Sequence, residues 1–265
     1  PDRTRRMPEL PEVERARTLI AERALHREIV DVDDADTYVC RPHAPGEIAA
    51  ALAGARLVSA HRRGKTMWAQ TDRGPVLGLH LGMAGRIVVD GREAGDPKAD
   101  PNGASPVWDR FALRFADGGA LVLRDKRRLG RVVLDPVLDR LGPDAAEVGR
   151  EAFRARVGRG AGPLKARIMD QAVIAGVGNL LADEALWRAG LSPLRPAGAL
   201  SDDELDALWR AVRAATRSAI RRGGVHTGDV IPYRRRDAAC PRCGTPMATA
   251  KVGGRTTWWC PAEQS

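Results

Sequence analysis

The sequence contains no run of about 18 apolar residues, and this absence excludes a membrane-spanning helix. Its first six residues are mostly charged and lack the apolar core of a secretory signal. Cysteine is scarce, and three of the four cysteines fall between Cys240 and Cys260 while Cys40 stands alone. This distribution is typical of metal ligation and unlike a secreted disulfide framework. We therefore expect a cytoplasmic, nucleoid-associated protein.

Acidic residues are outnumbered by basic ones. The chain has 43 Lys and Arg against 34 Asp and Glu, which gives a formal net charge of +9. A positive surface field favours polyanions such as nucleic acid, although a solvated basic face would give the same count. With 265 residues and a hydrophobic content of 43%, the chain is long enough for two domains that each bury a core.

The first half of the chain has one helical segment followed by strand-like segments. From Leu10 onward, Val13, Ile20 and Ala24 recur on one helical face, which predicts a helix. Strands are predicted at 66–69, 76–80, 86–89, 110–115 and 120–123, with a Gly-, Pro- and Asp-rich surface loop at 91–105. These segments predict an antiparallel sheet or sandwich through about residue 135.

From there to about residue 222 the pattern is mainly helical. Ser201 and Glu204 form a capping box, and Leu205, Leu208 and Val212 follow at helical spacing. Several arginines lie largely off that apolar stripe: Arg210, Arg213, Arg217 and Arg221. We interpret them as a solvated face, and a track for phosphates is the alternative.

The C-terminus carries the strongest local signature. Cys240 and Cys243 form a Cys-x2-Cys knuckle, and Cys260 follows after sixteen residues with strand-forming character. Two knuckles that bracket a hairpin hold a structural zinc through thiolates. Glu263 stands where the fourth thiolate belongs, and a carboxylate ligates structural zinc less often. The alternatives are zinc held by three cysteines with Glu263 or water, and a metal-free hairpin held by packing of the tryptophans at 258–259.

A second signature is the segment Ile174-Ala-Gly-Val-Gly-Asn179. Gly176 and Gly178 allow the backbone to turn tightly between helices and to approach a partner closely. Glycine amides followed by Asn179 would suit a phosphate oxygen. Because Gly-x-Gly turns are common, a purely structural role is the alternative.

The third signature is the segment Met7-Pro8-Glu9-Leu10-Pro11-Glu12-Val13-Glu14. If translation starts at Met7, its removal would expose Pro8 as a free secondary amine that can attack an aldehydic carbon and form an iminium ion. Glu9 would then be placed to move protons to and from the sugar. The structural alternative is a proline-started helix with acidic residues in its first turn.

These motifs occur together and in one order: Pro-Glu-Leu-Pro-Glu-Val-Glu at 8–14, His80-Leu-Gly-Met-Ala-Gly85, Asp125-Lys-Arg-Arg-Leu-Gly130, Gly-Val-Gly-Asn at 176–179 and the cysteine hairpin. In this combination the chain resembles the formamidopyrimidine-DNA glycosylase and endonuclease VIII family along nearly all of residues 7–264. The resemblance implies an α+β multidomain fold. We expect an N-terminal extension at 1–7, a catalytic β-sandwich with an N-terminal helix at 8–135, a helix-two-turn-helix domain at 136–222 and a hairpin zinc-finger module at 236–265.

The resemblance also implies an activity and a set of site residues. Such enzymes remove oxidised or ring-opened bases from double-stranded DNA and then cleave the strand at the abasic site by β and δ elimination. The residues that match the family's catalytic groups are Pro8 as nucleophile, Glu9 as acid and base, and Lys65 beside the lesion phosphate. Those that match its DNA contacts are Met83, Arg127 and Leu129, which fill the hole left by the flipped base, and Asn179 and Arg255, which hold the backbone. For Lys65, Met83 and Arg255, core packing and surface solvation are the alternatives.

Two further departures from the family pattern affect the expected substrate. Leu129 stands where an aromatic residue is usual, so the wedge fills space without stacking. The stretch from Arg222 to Cys240 is shorter than the loop that caps oxoguanine, so we expect oxidised pyrimidines or ring-opened purines to be at least as good substrates as 8-oxoguanine. Structural zinc is the one cofactor expected, with none for catalysis. The expected partner is damaged duplex DNA, bound by a monomer, with no membrane.

Two functions of different class remain open at this point. One is a bifunctional glycosylase and lyase, and the other is a non-cleaving protein of the same architecture that binds lesions or abasic sites. They differ at Pro8, because residues 1–7 would turn its amine into a tertiary amide with no free lone pair. A generic zinc-ribbon module would explain only the C-terminus and leave Pro8 and Asn179 unexplained.

Overall fold

The computed structural model describes residues 8–94 and 105–265. The predicted extension at 1–7, which includes Met7, and residues 95–104 of the predicted loop lie outside this range. The chain divides into two compact units. We call the unit of Pro8 and Glu12–Leu138 the sheet unit, and the unit of Glu9–Pro11 and Asp139–Ser265 the helical unit.

The sheet unit contains two antiparallel sheets. The strands are β1 (Ile29–Asp33), β2 (Leu57–Arg63), β3 (Thr66–Thr71), β4 (Val76–His80), β5 (Arg86–Val89), β6 (Arg92–Ala94), β7 (Asp109–Phe115), β8 (Ala120–Arg124) and β9 (Arg131–Leu134). The five-stranded sheet has the order β1-β7-β8-β5-β6, and the four-stranded sheet has the order β2-β3-β4-β9. Residues of both sheets, such as Leu77 and Leu113, belong to one buried cluster. The predicted sandwich is therefore confirmed.

Two helices accompany the sheets: α1 (Leu10–Arg23) and α2 (Glu47–Leu52). The predicted start of α1 at Leu10 is confirmed. Val13, Ile20 and Ala24 are buried and join the same cluster as the strands, as their helical spacing predicts.

The loop predicted at 91–105 is wrong at its beginning. Arg92–Ala94 forms β6, which pairs with β5 in antiparallel register. Asp90 and Gly91 between them both have positive φ, at 49° and 77°. An Asp-Gly pair in this conformation is the preferred two-residue hairpin turn, so the hairpin signal was present in the sequence.

The helical unit is built from α3 (Arg150–Val157), α4 (Leu164–Met169), α5 (Asn179–Ala189) and α6 (Asp202–Arg222). The predicted capping box is confirmed, with reciprocal hydrogen bonds between Ser201 and Glu204. Leu205, Leu208 and Val212 of α6 are buried in the unit's core. Arg210, Arg217 and Arg221 are exposed and Arg213 is half-buried over the Trp209 ring.

A two-stranded hairpin of β10 (Ala248–Val252) and β11 (Arg255–Trp259) completes the helical unit. Gly253 and Gly254 form its turn with φ of 56° and 74°, a left-handed conformation that glycine adopts without strain. The hairpin predicted between the cysteines is therefore confirmed. Among the described residues, no helix combines the length and the apolar character needed to cross a bilayer.

Candidate active site and DNA interface

The carboxylate of Glu9 is buried and bound at the N-terminus of α5. It accepts backbone hydrogen bonds from Gly178 at 2.9 Å, Leu180 at 2.8 Å and Leu181 at 3.1 Å. These amides have no intrahelical acceptor at the start of a helix, and the helix dipole favours a negative charge there. The Glu9 side chain is therefore held in one orientation.

This arrangement corrects our interpretation of the glycine motif. The amide of Gly178 donates to Glu9, and the amide of Gly176 donates to the Gln171 side chain at 2.9 Å. The carbonyl of Gly176 accepts the amide of Leu10 at 3.2 Å. The amides of the two glycines thus donate inside the protein, where they seat the residues that follow Pro8, and are not the donors to a phosphate that we expected. Pro8 itself is buried and directly precedes α1 in the chain.

Asn179 takes part in a buried polar network. Its Oδ1 accepts a hydrogen bond from Lys165 Nζ at 2.7 Å, and the same amine donates to Thr257 Oγ1 at 2.8 Å and lies 2.7 Å from Asp183 Oδ1. Burial lowers the pKa of Lys165, although the Asp183 carboxylate opposes that effect. Because an ammonium group only donates, Oδ1 must face Lys165, and the Asn179 Nδ2 group is directed away from it as a donor.

Arg255 is exposed at the start of β11, beside the hairpin turn. Its carbonyl accepts the hydroxyl of Thr257 at 3.1 Å, and Thr257 is held in turn by Lys165. Lys165 therefore connects the strand of Arg255 to the first residue of α5, Asn179. The two predicted phosphate contacts of the helical unit share one buried anchor.

Lys65 lies in the turn between β2 and β3 and is half-buried. Its charge acts on His80 at the end of β4, where burial first, and then the positive charges of Lys65 and Arg131, lower the pKa of the imidazole. His80 Nδ1 accepts the amide of Gly82 at 2.9 Å, which places the proton of the neutral ring on Nε2. Basic groups thus gather at one end of the four-stranded sheet.

Met83 and Leu129 lie on two loops that pack against each other. A side-chain carbon at Gly82 would lie 2.3 Å from the carbonyl carbon of Leu129, so only glycine permits this approach. Gly82 also has a φ of 59°. Met83, the next residue, is half-buried, and Leu129 is 44% exposed although it is a large apolar residue. The structure therefore brings together the loops that carry two of the three predicted void-filling residues.

Asp125 holds the loop that carries Arg127 and Leu129. Its buried carboxylate accepts the amides of Arg127 at 2.9 Å, Leu129 at 2.8 Å and Gly130 at 2.6 Å. Three hydrogen bonds to one carboxylate fix the loop before any ligand arrives. Arg127 is exposed on this loop, so its side chain can reach a partner.

The three C-terminal cysteines converge in the helical unit. The sulfur atoms of Cys240, Cys243 and Cys260 all lie within 4.8 Å of one another, and Cys243 and Cys260 are 3.5 Å apart. Thiolates at about 2.3 Å from a tetrahedral zinc are separated by about 3.8 Å, so the cluster fits this metal. Burial opposes ionisation of Cys240, yet hydrogen bonds from the Trp187 indole and two backbone amides outweigh it and lower the pKa of that thiol to about 7.

Glu263 does not join this cluster in the structure. One of its carboxylate oxygens lies 4.0 Å from Arg242, and among the residues that the structure describes, the group within 4.8 Å consists of the three cysteines. The neighbouring Gln264 is buried and accepts the amide of Cys260 at 2.9 Å. The second knuckle is thus closed by a glutamine hydrogen bond, with Glu263 at its half-exposed edge.

Three residues of the site, Lys165, Asp125 and His80, have no individual role that we predicted from the sequence. Asp125 and His80 lie inside the motifs that carry the resemblance, and an aspartate before a turn is a known signal for side-chain capping. The sequence around Lys165 contains no such signal, because a lysine between Leu164 and Ile168 is expected on the exposed surface of a helix. Its burial follows from tertiary partners far along the chain, Asp183 and Thr257.

Comparison with known proteins identifies the modules. Residues 7–132 match the family model of the formamidopyrimidine-DNA glycosylase N-terminal domain, and residues 141–230 match that of the formamidopyrimidine-DNA glycosylase H2TH domain. Residues 239–262 match a zinc finger found in formamidopyrimidine-DNA glycosylases and isoleucyl-tRNA synthetases. Together with a buried glutamate next to Pro8, these modules define a base-excision DNA glycosylase.

Individual relatives are similar in sequence to this protein over nearly the whole chain. The formamidopyrimidine-DNA glycosylase of Chloroflexus aggregans is 35% identical over 97% of this chain and 98% of its own, and that of a Roseiflexus species is 36% identical over 97% and 100%. A structure of Lactococcus lactis Fpg with DNA containing an oxidised pyrimidine gives a TM-score of 0.83 at 26% identity, covering 97% of this chain and 100% of that one. The chain belongs to the formamidopyrimidine-DNA glycosylase family.

Proposed function

We propose that this protein is a bifunctional DNA glycosylase and abasic-site lyase acting on damaged double-stranded DNA. The observation that carries the proposal is the fixed carboxylate of Glu9, held by three amides at the start of α5 and adjacent in the chain to Pro8. A general acid and base must be oriented before the reaction, and these hydrogen bonds orient it.

The chemistry follows from these two residues. The amine of Pro8 attacks C1′ of the flipped nucleotide, the C1′–N bond to the base breaks, and the departing base takes up a proton from water. The Glu9 carboxylate accepts the proton that the Pro8 nitrogen loses and returns it to O4′ as the sugar ring opens. The sugar opens to an iminium ion that acidifies the C2′ hydrogen. Glu9 accepts and returns protons at the sugar, and elimination then expels the 3′ phosphate and, in a second step, the 5′ phosphate.

The remaining predicted residues hold the DNA in this proposal. Lys65, Asn179 and Arg255 contact backbone phosphates, which position the substrate without reading its sequence. Met83, Arg127 and Leu129 enter the duplex where the damaged nucleotide leaves it. The packing of the Met83 turn on the Leu129 backbone supports a shared role for these two residues.

The segment after α6 supports ring-opened purines and oxidised pyrimidines as substrates. It is short and contains two single 3-10 turns, Val225–Thr227 and Ile231–Tyr233. Glu184 of α5 accepts the amide of Val230 at 3.0 Å, and Asp183 pairs with Arg234 at 2.7 Å. Because the segment is bound to α5 at both of these points, few of its residues are left to close over an 8-oxoguanine base. Among solved relatives, Lactococcus lactis Fpg was crystallised with DNA containing an N7-benzyl ring-opened guanine.

The cysteine cluster would hold one structural zinc. Three thiolates supply most of a closed tetrahedral site, and the fourth ligand is Glu263 after rotation of its side chain, or water. The metal would fix the two knuckles and thereby the hairpin that carries Arg255. No catalytic role is assigned to it.

The same proposal includes three domain limits: the catalytic domain ends at residue 135, the helix-two-turn-helix domain ends at residue 222, and the hairpin module begins at residue 236. The protein would act as a monomer on the chromosome in the cytoplasm. The non-cleaving alternative is not favoured, because the relatives that cover nearly the whole chain are named as glycosylases.

Borohydride trapping tests the proposal. A protein shown by intact mass to begin at Pro8 is mixed with a duplex containing an abasic site and reduced with sodium borohydride. We expect a covalent adduct that peptide mass spectrometry locates on Pro8, because reduction fixes the iminium ion.

The matched control is the same chain with Met7 retained. In that protein the Pro8 nitrogen is an amide, so no adduct should form although the duplex is still bound. An adduct of equal yield on the Met7 protein, or none on the Pro8 protein, would refute the assigned nucleophile.

A further inference from the structure

Two arginines with no assigned role meet at the end of the four-stranded sheet. Arg131 begins β9, and its guanidinium donates to the carbonyl of Arg41 at 3.2 Å. Burial and the adjacent charge of Arg41 lower the pKa of Arg131. In the described part of the chain, no carboxylate lies within 4.0 Å of either guanidinium. The two like charges repel each other, and an anion bound between them would remove that repulsion.

An exposed aromatic ring supports this pair. Tyr38 is 61% exposed, and the guanidinium of Arg41 lies 5.7 Å from its ring centroid while that of Arg128 lies 4.9 Å from it. Arg41 also donates to the Tyr38 carbonyl. Asp36 fixes the turn, since its carboxylate accepts the amide of Tyr38 at 3.0 Å and binds Arg128 at 2.9 Å. Arg41 is therefore held next to Arg131, with the ring as its support.

The pair continues a basic row that includes two groups already described. His80 is the register partner of both Thr66 and Arg131, and Lys65 directly precedes Thr66. In antiparallel strands these positions lie at one end of the sheet. Thr66, His80, Leu129 and Arg131 line an open groove of about 420 Å³ there. Arg131 thus faces the same groove as Leu129, the residue placed at the gap in the duplex.

We propose that Arg41 and Arg131 form a phosphate-binding pair for the DNA backbone beside the Leu129 loop, with Tyr38 as the positioning residue for Arg41. The proposal rests on the proposed function, which puts DNA against this end of the sheet. Two guanidinium groups present several donors in fixed geometry and suit a phosphodiester better than a neutral ligand. Each arginine would contribute to affinity through release of a counterion from the phosphate.

The salt dependence of binding tests this pair. Affinity for a duplex with a tetrahydrofuran abasic analogue is measured by fluorescence anisotropy at increasing NaCl concentrations. For Arg41→Gln and for Arg131→Gln we expect several-fold weaker binding at low salt and a slope of log K against log salt that is smaller by about one. Thermal unfolding without DNA verifies that each variant folds.

Arg73→Gln is the matched control. Arg73 is an exposed arginine in the turn between β3 and β4, at the opposite end of the same sheet and about 20 Å away along the strands. This variant loses the same charge, so its slope and excision rate should equal those of the wild type. If Arg41→Gln and Arg131→Gln also keep the wild-type slope while the wild type excises lesions, the phosphate pair is refuted and the proposed function stands. If the wild type neither binds nor excises, the proposed function itself fails.

Tyr38 is tested by two substitutions. Tyr38→Phe keeps the ring and should bind within twofold of the wild type, whereas Tyr38→Ala should approach the affinity and salt slope of Arg41→Gln. Wild-type affinity in Tyr38→Ala, or equal losses in both variants, would refute the role of the ring.

Discussion

Gly178 leaves just enough room for the carboxyl group of Glu9. A side-chain carbon at residue 178 would lie 2.3 Å from Glu9 Cδ, and the Gly178 amide donates to Glu9 Oε2 at 2.9 Å. The backbone of Gly178 has a φ of −120°, which any residue can adopt. The glycine is therefore required by the space that Glu9 occupies and not by an unusual backbone conformation.

Gly178→Ala should impair excision while the protein still folds. The added methyl group must displace Glu9 from its three amides, and a shift of about 1 Å in a reacting group can lower a rate by about two orders of magnitude. We expect single-turnover excision of a ring-opened purine to fall at least tenfold. Overpacking should also cost about 1–3 kcal/mol of unfolding free energy, measured by urea denaturation.

Gly162→Ala provides the comparison for this substitution. A side-chain carbon at Gly162 meets no atom within 4 Å, and this glycine lies in the same unit. Its excision rate should match the wild type. Equal rates for Gly178→Ala and Gly162→Ala would show that the position of Glu9 does not limit the reaction.

Leu129→Phe should tighten binding to a duplex with an abasic analogue. Leu129 is 44% exposed on a loop fixed by Asp125, so a larger ring can be accommodated and can stack on a neighbouring base. Stacking of an aromatic side chain on a base contributes about 1–3 kcal/mol, which corresponds to at least a fivefold lower Kd. Leu194→Phe, at a leucine that is 46% exposed in the helical unit, should leave the Kd unchanged. A Kd for Leu129→Phe equal to that of the wild type would indicate that this loop does not enter the duplex.

Local sequence patterns predicted the elements whose signal is periodic. The capping box of Ser201 and Glu204 and the strand Val76–His80 are found at the predicted positions. By contrast, β1, β2 and β9 were not predicted. A register irregularity interrupts the alternation in β1 and in β2, and β9 buries only one of its four residues. The β6 hairpin was missed although its Asp-Gly turn is a recognised signal.

In the candidate site, too, some residues could be predicted from the sequence and others could not. Glu9 and Asn179 could be selected from the motif resemblance, yet the partners that orient them come from distant parts of the chain. Gly178 lies 169 residues after Glu9, and Thr257 lies 92 residues after Lys165. A pattern confined to a window of a dozen residues contains no information about such contacts. The use of the glycine amides by Glu9 and Gln171 was therefore visible only in the fold.

The stability of the protein should decrease on mild acidification through His80. Because burial and the nearby charges lower the pKa of His80, the folded state prefers the neutral ring while the unfolded chain takes up a proton at about pH 6.5. This contribution is present above about pH 6.5 and is lost as the pH falls from there toward the folded-state pKa. It amounts to about 1.4 kcal/mol for each unit by which the pKa is lowered.

The difference in unfolding free energy between the wild type and His80→Asn, measured as a function of pH, isolates the contribution of His80. Asparagine retains an acceptor for the Gly82 amide but does not titrate, so its unfolding free energy should fall less between pH 7 and pH 5. Urea denaturation at several pH values gives the comparison. His61→Asn removes an exposed histidine from β2 and should follow the wild-type curve. Parallel curves for wild type and His80→Asn would contradict the prediction.

Metal analysis should find one zinc per chain in protein purified without chelators. Cys260→Ser should lose this zinc, because serine is a poor ligand for a site built from thiolates. Its affinity for duplex DNA should also fall, since β11 carries Arg255 and ends next to Cys260. Cys40→Ala changes a buried cysteine of the sheet unit outside the cluster and should retain the metal.

Glu263→Ala distinguishes the two possible fourth ligands. If the Glu263 carboxylate rotates from Arg242 to the metal, zinc transfer to a competing chelator should be at least tenfold faster in this variant. If water completes the site, the transfer rate should equal that of the wild type. A protein that contains no zinc and still binds duplex DNA with wild-type affinity would instead show that the hairpin is held by packing of its tryptophans, of which Trp258 is buried.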